Sequence, residues 1–386
     1  MQQGTGTPKV TMNVASGNLQ RQVKVIDSVA GIIGTSLTKI GVVKDVYSYD
    51  DAVAKGYTVE AEPFLNAQIA QFYTELGGNQ KLWIMGVEDT MTLTQMLTLT
   101  NANGAKKLLL AAQGEINLLY ATRKPASSYA MVAGHFLDKD VEDAVVASKA
   151  LCEYQQGLNN PIRVLIEGRT NDLTVTPFDL SSASNTYVGV VLGKDSSSET
   201  AIPMGAVALG RACKYGAHVK IGNGQNGALS ITGVTIGTKA LEEFYPEELD
   251  GLSDKGYIIV HHRAGAAGYY FGVDNMCGSD DFHLLAHGRL IDKAQRIAAA
   301  TTIPLLETDV RVANDGTINA SDAKYIEDLV KAQLRAGMSE QISGVDVIVD
   351  TTQNIITTST LPMEVKIQPL GYLTWIKIQL GLTQTL

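Results

Sequence analysis

The sequence predicts a layered α/β (α+β) protein, with mixed sheets and flanking helices in two domains plus extended N- and C-terminal β-arms. Three observations lead there. Short apolar runs such as VAGIIGT (29–35) and LWIMGV (82–87) have the length and composition of buried strands. Between such runs lie segments whose apolar residues recur at helical spacing and stop at glycine. Both ends of the chain alternate apolar and polar residues, as half-buried strands do.

Taken in order, Val10, Met12 and Val14 alternate with Thr11, Asn13 and Ala15 before Ser16–Gly17–Asn18 interrupts, which reads as a strand-like arm. Residues 29–35 form a buried strand, with Gly31 and Gly34 permitting close approach, and 42–47 a second. Pro63 suits the first turn of a helix over 63–76, striped by Phe64, Leu65, Ile69, Phe72, Tyr73 and Leu76 and stopped by Gly77–Gly78. A strand at 82–87 completes a helix–turn–strand unit. Further on, 141–156 reads as helix, 162–167 and 187–192 as strands, and 203–215 as a helix so rich in Ala and Gly that it must pack closely on another element. Strands at 257–260 and 269–273 follow, then helices at 281–300 and 320–336. Asn319 or Ser321 can cap the last helix and Gly337 end it.

The closing stretch, MEVKIQPLGYLTWIKIQL (363–380), alternates twice. Met363, Val365 and Ile367 face one way and Glu364, Lys366 and Gln368 the other; after the Pro369–Gly371 break, Ile376, Ile378 and Leu380 oppose Lys377 and Gln379. A strand pair with one apolar face needs a sheet to complete it. That sheet is either the chain's own or a neighbouring subunit's, the second case making this segment a polymer-forming arm.

Composition narrows the function classes. The chain has 386 residues, 45% hydrophobic and 18% charged, with net charge −9. An acidic balance offers nothing to neutralise phosphates, so no nucleic acid is expected as partner. No apolar run nears the ~20 residues that span a bilayer, so no direct membrane insertion is expected. MQQGTGTPKV has no apolar signal core, so export by a leader is not expected. Three irregularly spaced cysteines, Cys152, Cys213 and Cys277, do not form a disulfide framework.

Chemistry-bearing motifs are thin. GNGQNG (222–227) has the G-x-G-x-x-G spacing, but ALSITGVTIG follows it and reads as strand, whereas a dinucleotide site needs a helix N-terminus there. GKDSS at Gly193 carries Asp195 where a phosphate loop places Ser or Thr, and reads as a plain loop. His283 and His287, four apart on a helix, with His261, His262 and Cys277 nearby, could assemble zinc ligands, yet no H-E-x-x-H or C-x-x-C completes a set. Glu242, Glu243, Glu247 and Glu248 read as a solvated face. No cofactor is expected. The helix over 320–336 offers Ile326, Leu329, Val330 and Leu334 as a core stripe, with Lys324, Lys331 and Arg335 elsewhere on its surface. These cations either pair within the helix, as Glu327 with Lys331, or meet an acidic partner.

In order along the chain, the pieces resemble the contractile tail-sheath family of bacteriophages, R-type pyocins and related injection systems, as a divergent branch. VAGIIGT followed by VYSYDDA (46–52) resembles the family's first strand and its continuation. FYTELGG before KLWIMGV resembles a family helix–turn–strand unit, here without its Asn and Arg. IPMGAVALGRACKYGAHVKIGNGQNGAL (202–229) resembles a Gly/Ala-rich helix running into a conserved-type loop, and LDGLSDKGYIIV and GYYFGVDNM resemble later segments, with Val273 and Asp274 replacing a small residue and Arg. The terminal VKIQPLGYLTWIKIQL resembles sheath C-termini.

The resemblance implies a non-enzymatic structural subunit that polymerises helically around an inner tube by strand exchange and contracts to drive the tube through a target envelope. It implies an N-terminal arm (1–22), an outer α/β domain (23–245), an inner sheath domain (246–360) and a C-terminal β-arm (361–386), with hinges near Gly17 and Gly371. The arm residues would be Val10, Met12, Val14, Val365, Ile367, Ile376, Ile378 and Leu380, and Lys324, Lys331 and Arg335 would lie on a tube-attachment helix. The implied partners are further copies of the chain, an inner tail tube protein, and baseplate and tail terminator proteins. The implied setting is a virion tail or tail-like particle assembled in the bacterial cytoplasm. The alternative from the residues alone is a soluble α/β enzyme with a nucleotide or zinc site near 222–227 or 261–287.

Overall fold

The computed structural model of the chain describes residues 27–197, 201–379 and 382. Strand β1 (Ala30–Thr35) is buried at every position, as a central strand covered on both faces must be. After β2 (Val43–Val46), α1 (Tyr49–Ala54) starts at Ser48, whose hydroxyl accepts the Asp51 amide. Helix α2 (Pro63–Leu76) carries its proline in the first turn and ends at Gly77, whose φ of 69° is left-handed and suits glycine. Then come β3 (Leu82–Val87), α3 (Leu93–Leu97), α4 (Ala105–Ala111), β4 (Leu118–Ala121), α5 (Lys139–Gly157), β5 (Arg163–Gly168) and β6 (Val188–Leu192). Short strands β7 (Lys194–Asp195) and β8 (Ile202–Pro203) precede α6 (Gly205–Lys214), β9 (Val234–Ile236), β10 (Lys239–Ala240), α7 (Pro246–Asp254) and β11 (Tyr257–Ile258).

The main sheet has seven strands in the order β11-β6-β5-β4-β1-β3-β2. All neighbours are parallel except β2, which runs antiparallel to β3. The small strands form a four-stranded sheet, β10-β9-β7-β8. The glycines of α6 explain how it seats between α2 and the seven-stranded sheet. A Cβ at Gly205 would fall 1.9 Å from the Tyr120 ring, and one at Gly210 would fall 2.6 Å from the Phe72 carbonyl oxygen.

A hairpin of β12 (Val260–Arg263) and β13 (Ala266–Phe271) leads into the C-terminal unit. This contains α8 (Leu285–Thr302), α9 (Ala320–Met338), β14 (Ile342–Val349), α10 (Ile355–Thr358) and β15 (Met363–Pro369). Its core is separate: Leu290, Ala294 and Ile297 of α8 meet Val330, Leu334 and Met338 of α9 and Ile342, Val345 and Val347 of β14. The larger core continues from the sheet as far as Leu285. Packing therefore divides near 285. The boundary expected at 245 does not coincide with it, because β11 still pairs with β6.

The seam between the units is polar and buried. Arg163, the first residue of β5, donates from Nε and Nη2 to the two Asp292 oxygens at 2.8 and 2.7 Å, and from Nη1 to the Thr186 carbonyl at 2.8 Å. Arg296 donates to the carbonyls of Gly114 (2.6 Å), Ile116 (3.0 Å) and Pro161 (2.8 Å), which precede β4 and β5. Helix α8 thus holds the N-terminal edge of the parallel sheet through side-chain forks, where an apolar contact would leave these strand-end carbonyls unsatisfied.

Three local expectations differ. The helix expected from 281 begins at Leu285, because Asp280 closes a turn over Phe282 and His283 and Leu284 bridges Asn275. Helix α9 runs through Gly337 to Met338; the glycine lets α8 approach, since a Cβ there would lie 2.7 Å from Ile297 Cδ1. Lys194 and Asp195, read as loop, pair with β8 and β9.

Candidate assembly surfaces

The last strand of the described chain is only half satisfied. β15 pairs antiparallel with β14 in the register Val347↔Val365 and Val345↔Ile367. Met363, Val365 and Ile367 pack on the α8–α9 core, and Glu364, Lys366 and Gln368 face solvent, as their alternation predicts. Val365 and Ile367, expected in an inter-subunit arm, therefore sit on a strand paired within the chain. The sheet has two strands, and its outer edges carry no partner among the described residues. Such an edge is a template for a further strand.

Residues 370–379 add no strand. The segment is fixed at its root by Tyr372, whose hydroxyl donates to the His218 carbonyl at 2.6 Å. The Tyr372 ring lies 5.5 Å from the His287 ring and 5.3 Å from the Lys220 ammonium. Beyond this anchor Leu373 (88% exposed), Trp375 (82%), Ile376 (72%) and Ile378 (75%) stand in solvent. Four such residues in six positions make an apolar segment with no cover among the described residues. Leu380, Val10, Met12 and Val14 lie outside the described residues.

Helix α9 presents Lys324, Tyr325, Asp328, Ala332 and Arg335 outward. Its cations are mostly neutralised within the chain. Lys324 pairs with Glu327 and Asp328, each at 3.2 Å, and Lys331 reaches Asp346 of β14 at 2.7 Å. The expected Glu327–Lys331 pair does not form; Glu327 instead accepts the Val349 amide at 2.9 Å and ties the helix to β14. Arg335 has no ion pair among the described residues.

The crevice beside β1 is filled by the chain's own groups. In doubly wound sheets ligands bind beyond the carboxyl ends of the strands where the strand order switches, here beside β1. The turn after β1 aims the amides of Leu37 (3.0 Å), Thr38 (2.7 Å) and Lys39 (2.9 Å) at the buried Glu62 carboxylate, which also accepts the Ser36 and Thr38 hydroxyls. Burial pushes the Glu62 pKa up, but the bonds from Thr38, Leu37 and Ser36 outweigh it and hold it below the ordinary glutamate value. Nearby, Arg123 pairs with Asp140 at 2.7 Å and Arg169 with Asp138 at 3.0 Å, closing the ends of β4 and β5.

Residues 222–227 form a 3-10 turn over Gly224–Asn226 with no α-helix behind it. Arg211 and Arg263 hold its carbonyls, Arg211 donating to Asn226 at 2.9 Å and to Ala228 at 2.8 Å and Arg263 to Gly222, so the loop shows oxygens where phosphate needs amides. His283 lies ahead of α8 and His287 within it, their rings 6.5 Å apart, and His262 is bonded to Glu242 at 3.2 Å. Among the described residues no three His, Cys, Asp or Glu side chains converge as a metal site, and no helix is long and apolar enough to cross a membrane.

The Glu62 plug, the Tyr372 anchor and the α8 seam were not read from the sequence. Each joins residues at least 23 positions apart, and no local pattern encodes such a pairing.

Comparison with known proteins agrees with this architecture. The N-terminal domain model of DUF2586 matches residues 7–275, and the C-terminal domain model matches 281–386. The two models meet where the packing divides. The fold is that of contractile sheath proteins. The anti-feeding prophage (AFP) helical sheath in its contracted state aligns over 98% of this chain and 99% of its own, with TM-score 0.65 and 16% identity. The PVC sheath complex of an extracellular contractile injection system, also contracted, aligns over 99% of both chains at TM-score 0.63 and 13% identity. A sheath tail protein from Desulfitobacterium hafniense aligns over 94% of this chain and 100% of its own at TM-score 0.53 and 11% identity. No curated protein matches the chain. With both of its domain models in sequence order over nearly the full length, the chain belongs to the DUF2586 family.

Proposed function

We propose that this chain is the structural subunit of a contractile tail sheath, polymerising helically around an inner tube and contracting to drive that tube through a target envelope. The observation that carries the reading is the β14–β15 sheet, with edges open among the described residues and followed by the exposed apolar segment 373–378. One copy's segment adds as a strand to the next copy's open edge, burying Ile376 and Ile378 and satisfying main-chain groups along both. Each ladder bond contributes about 0.5–1.5 kcal/mol net, so a short ladder holds neighbours together while the bodies reorient. The shared fold with the AFP and PVC sheaths supports the assembly type, and the crevice filled by Glu62 and the Arg123–Asp140 pair supports a non-enzymatic role.

In this reading the arms are residues 1–22 and the stretch after Pro369. The C-terminal unit lies inside, toward the tube, and the seven-stranded sheet lies outside. The partners are further copies, the inner tube protein, and baseplate and terminator proteins of a virion tail or tail-like particle. The outward face of α9 meets the tube, with Arg335 supplying the charge that Lys324 and Lys331 spend on Glu327, Asp328 and Asp346. The test is the double substitution Ile376→Asp with Ile378→Asp. Both side chains are exposed, so the variant stays folded, and it fails to polymerise. A variant that polymerises like the parent would refute strand addition by this segment.

A further inference from the structure

The first described residue and the root of the C-terminal segment sit on the same small block. Asp27 is held by Lys293 of α8 and by Gln341, whose Nε2 donates to its carboxylate at 2.6 Å. Ser28 accepts from Arg289 Nη2 at 2.6 Å, and the same guanidinium reaches the Tyr215 carbonyl at 3.3 Å and that of Gly216 at 3.5 Å. Two residues further along the turn, the His218 carbonyl accepts the Tyr372 hydroxyl, while His287 of α8 stacks beside the Tyr372 ring. Lys220, over the other part of that ring, is paired with the buried Asp274 at 3.4 Å. Asp274 in turn accepts the Ala286 amide in the first turn of α8 at 3.1 Å.

One turn, residues 215–220, and one helix, α8, therefore hold both Asp27–Ser28 and Tyr372. His287, Arg289 and Lys293 reach Tyr372, Ser28 and Asp27 in that order. The two seats come closest at Gly216. A Cβ there would lie 3.0 Å from His218 Cε1 and 3.3 Å from Asp27 Oδ2, so a side chain at 216 would press on both seats, and the next amide, of Ala217, donates to Asp27 Oδ2 at 3.4 Å.

We propose that the turn at 215–220, clamped on α8, is a common anchor that couples the two terminal segments of a single chain, so that loosening one seat loosens the other. The coupling is a property of the lone molecule. Its use, passing load from one arm to the other across a subunit during contraction, rests on the sheath reading.

The experiment is hydrogen–deuterium exchange of the full-length chain at a concentration where it is dispersed. Tyr372→Phe removes only the hydroxyl on His218, and Asp27→Asn removes the counter-charge of Lys293 together with one of the two oxygens that accept from Lys293 and Gln341. The hydrogen bond lost is worth about 0.5–1.5 kcal/mol, or an opening about 2- to 12-fold more frequent. Tyr372→Phe is expected to speed exchange over 27–31, and Asp27→Asn over 370–375, each by a factor in that range. Gly216→Ala is expected to speed both. Asn354→Ala, in a distant turn bonded to Asp315, serves as control and changes neither. The proposal is overturned if each variant acts only at its own end, or if the control speeds both ends as much. Since dispersed chains are read, failure to polymerise leaves this test intact, and coupling could fail in a chain that polymerises well.

Discussion

Breaking the Arg163–Asp292 fork should unseat the C-terminal unit from the sheet, and its cost can be worked from the geometry. Both side chains are almost wholly buried, and the guanidinium lies against Gly288 of α8, where a Cβ would come within 2.7 Å of Arg163 Nε. Asp292→Ala leaves a buried cation with one neutral acceptor, the Thr186 carbonyl. Two unit charges about 4 Å apart at an effective dielectric of about 20 attract by about 4 kcal/mol. Removing one partner of a buried pair costs about 3–5 kcal/mol, which agrees. The double replacement Arg163→Met with Asp292→Leu removes both charges and is expected to cost less than about 1 kcal/mol, or to stabilise. Urea unfolding followed by tryptophan fluorescence reads this, because Trp83 lies in β3 while Trp375 is already in solvent. If Asp292→Ala lost less than about 1 kcal/mol, or the double variant fell as far as the single one, the seam would not be held by desolvated charge.

Two further outcomes follow from buried groups. Glu62→Gln should destabilise by about 1.5–3 kcal/mol at neutral pH, the worth of bonds to a charged acceptor. The folded-state pKa of Glu62 is depressed, so its contribution is present above the unfolded value and lost as pH falls through the folded one. The gap between parent and variant should close on acidification, and a gap constant with pH in urea titrations would refute the charged plug. The thiols of Cys152 and Cys213 are pushed up to about 12 by burial, and Cys277 is raised by the same cause. Ellman's reagent at pH 8 should therefore label fewer than one thiol per native chain and all three in urea.

Local pattern carried much of the fold. The helix at Pro63–Leu76 and the strand at Leu82–Val87 have the bounds their periodicity and flanking glycines dictate. The alternation at 363–368 gave the correct inward face. What pattern could not give was the partner of that face, because alternation fixes which side is apolar and not which sheet receives it. β14 supplies it, and the pairing ends at Pro369. Gly337 misled for a similar reason: glycine stops a helix when it turns left-handed, yet here it thins one for a neighbour. The cations of α9 looked free because Asp346, the partner of Lys331, lies on another element. Residues such as Glu62 and Arg289 act across long separations, where spacing is silent.

The central claim is that copies of this chain assemble through the segment beyond the Tyr372 anchor. Its most direct test is negative-stain electron microscopy of the full chain beside one lacking residues 373–386. That deletion spares β15 and Tyr372, so the folded body stays whole. Assembly through this segment should give regular hollow tubes from the full chain and dispersed single particles from the shortened one. Tubes from both, or dispersed particles from both at the highest soluble concentration, would contradict it.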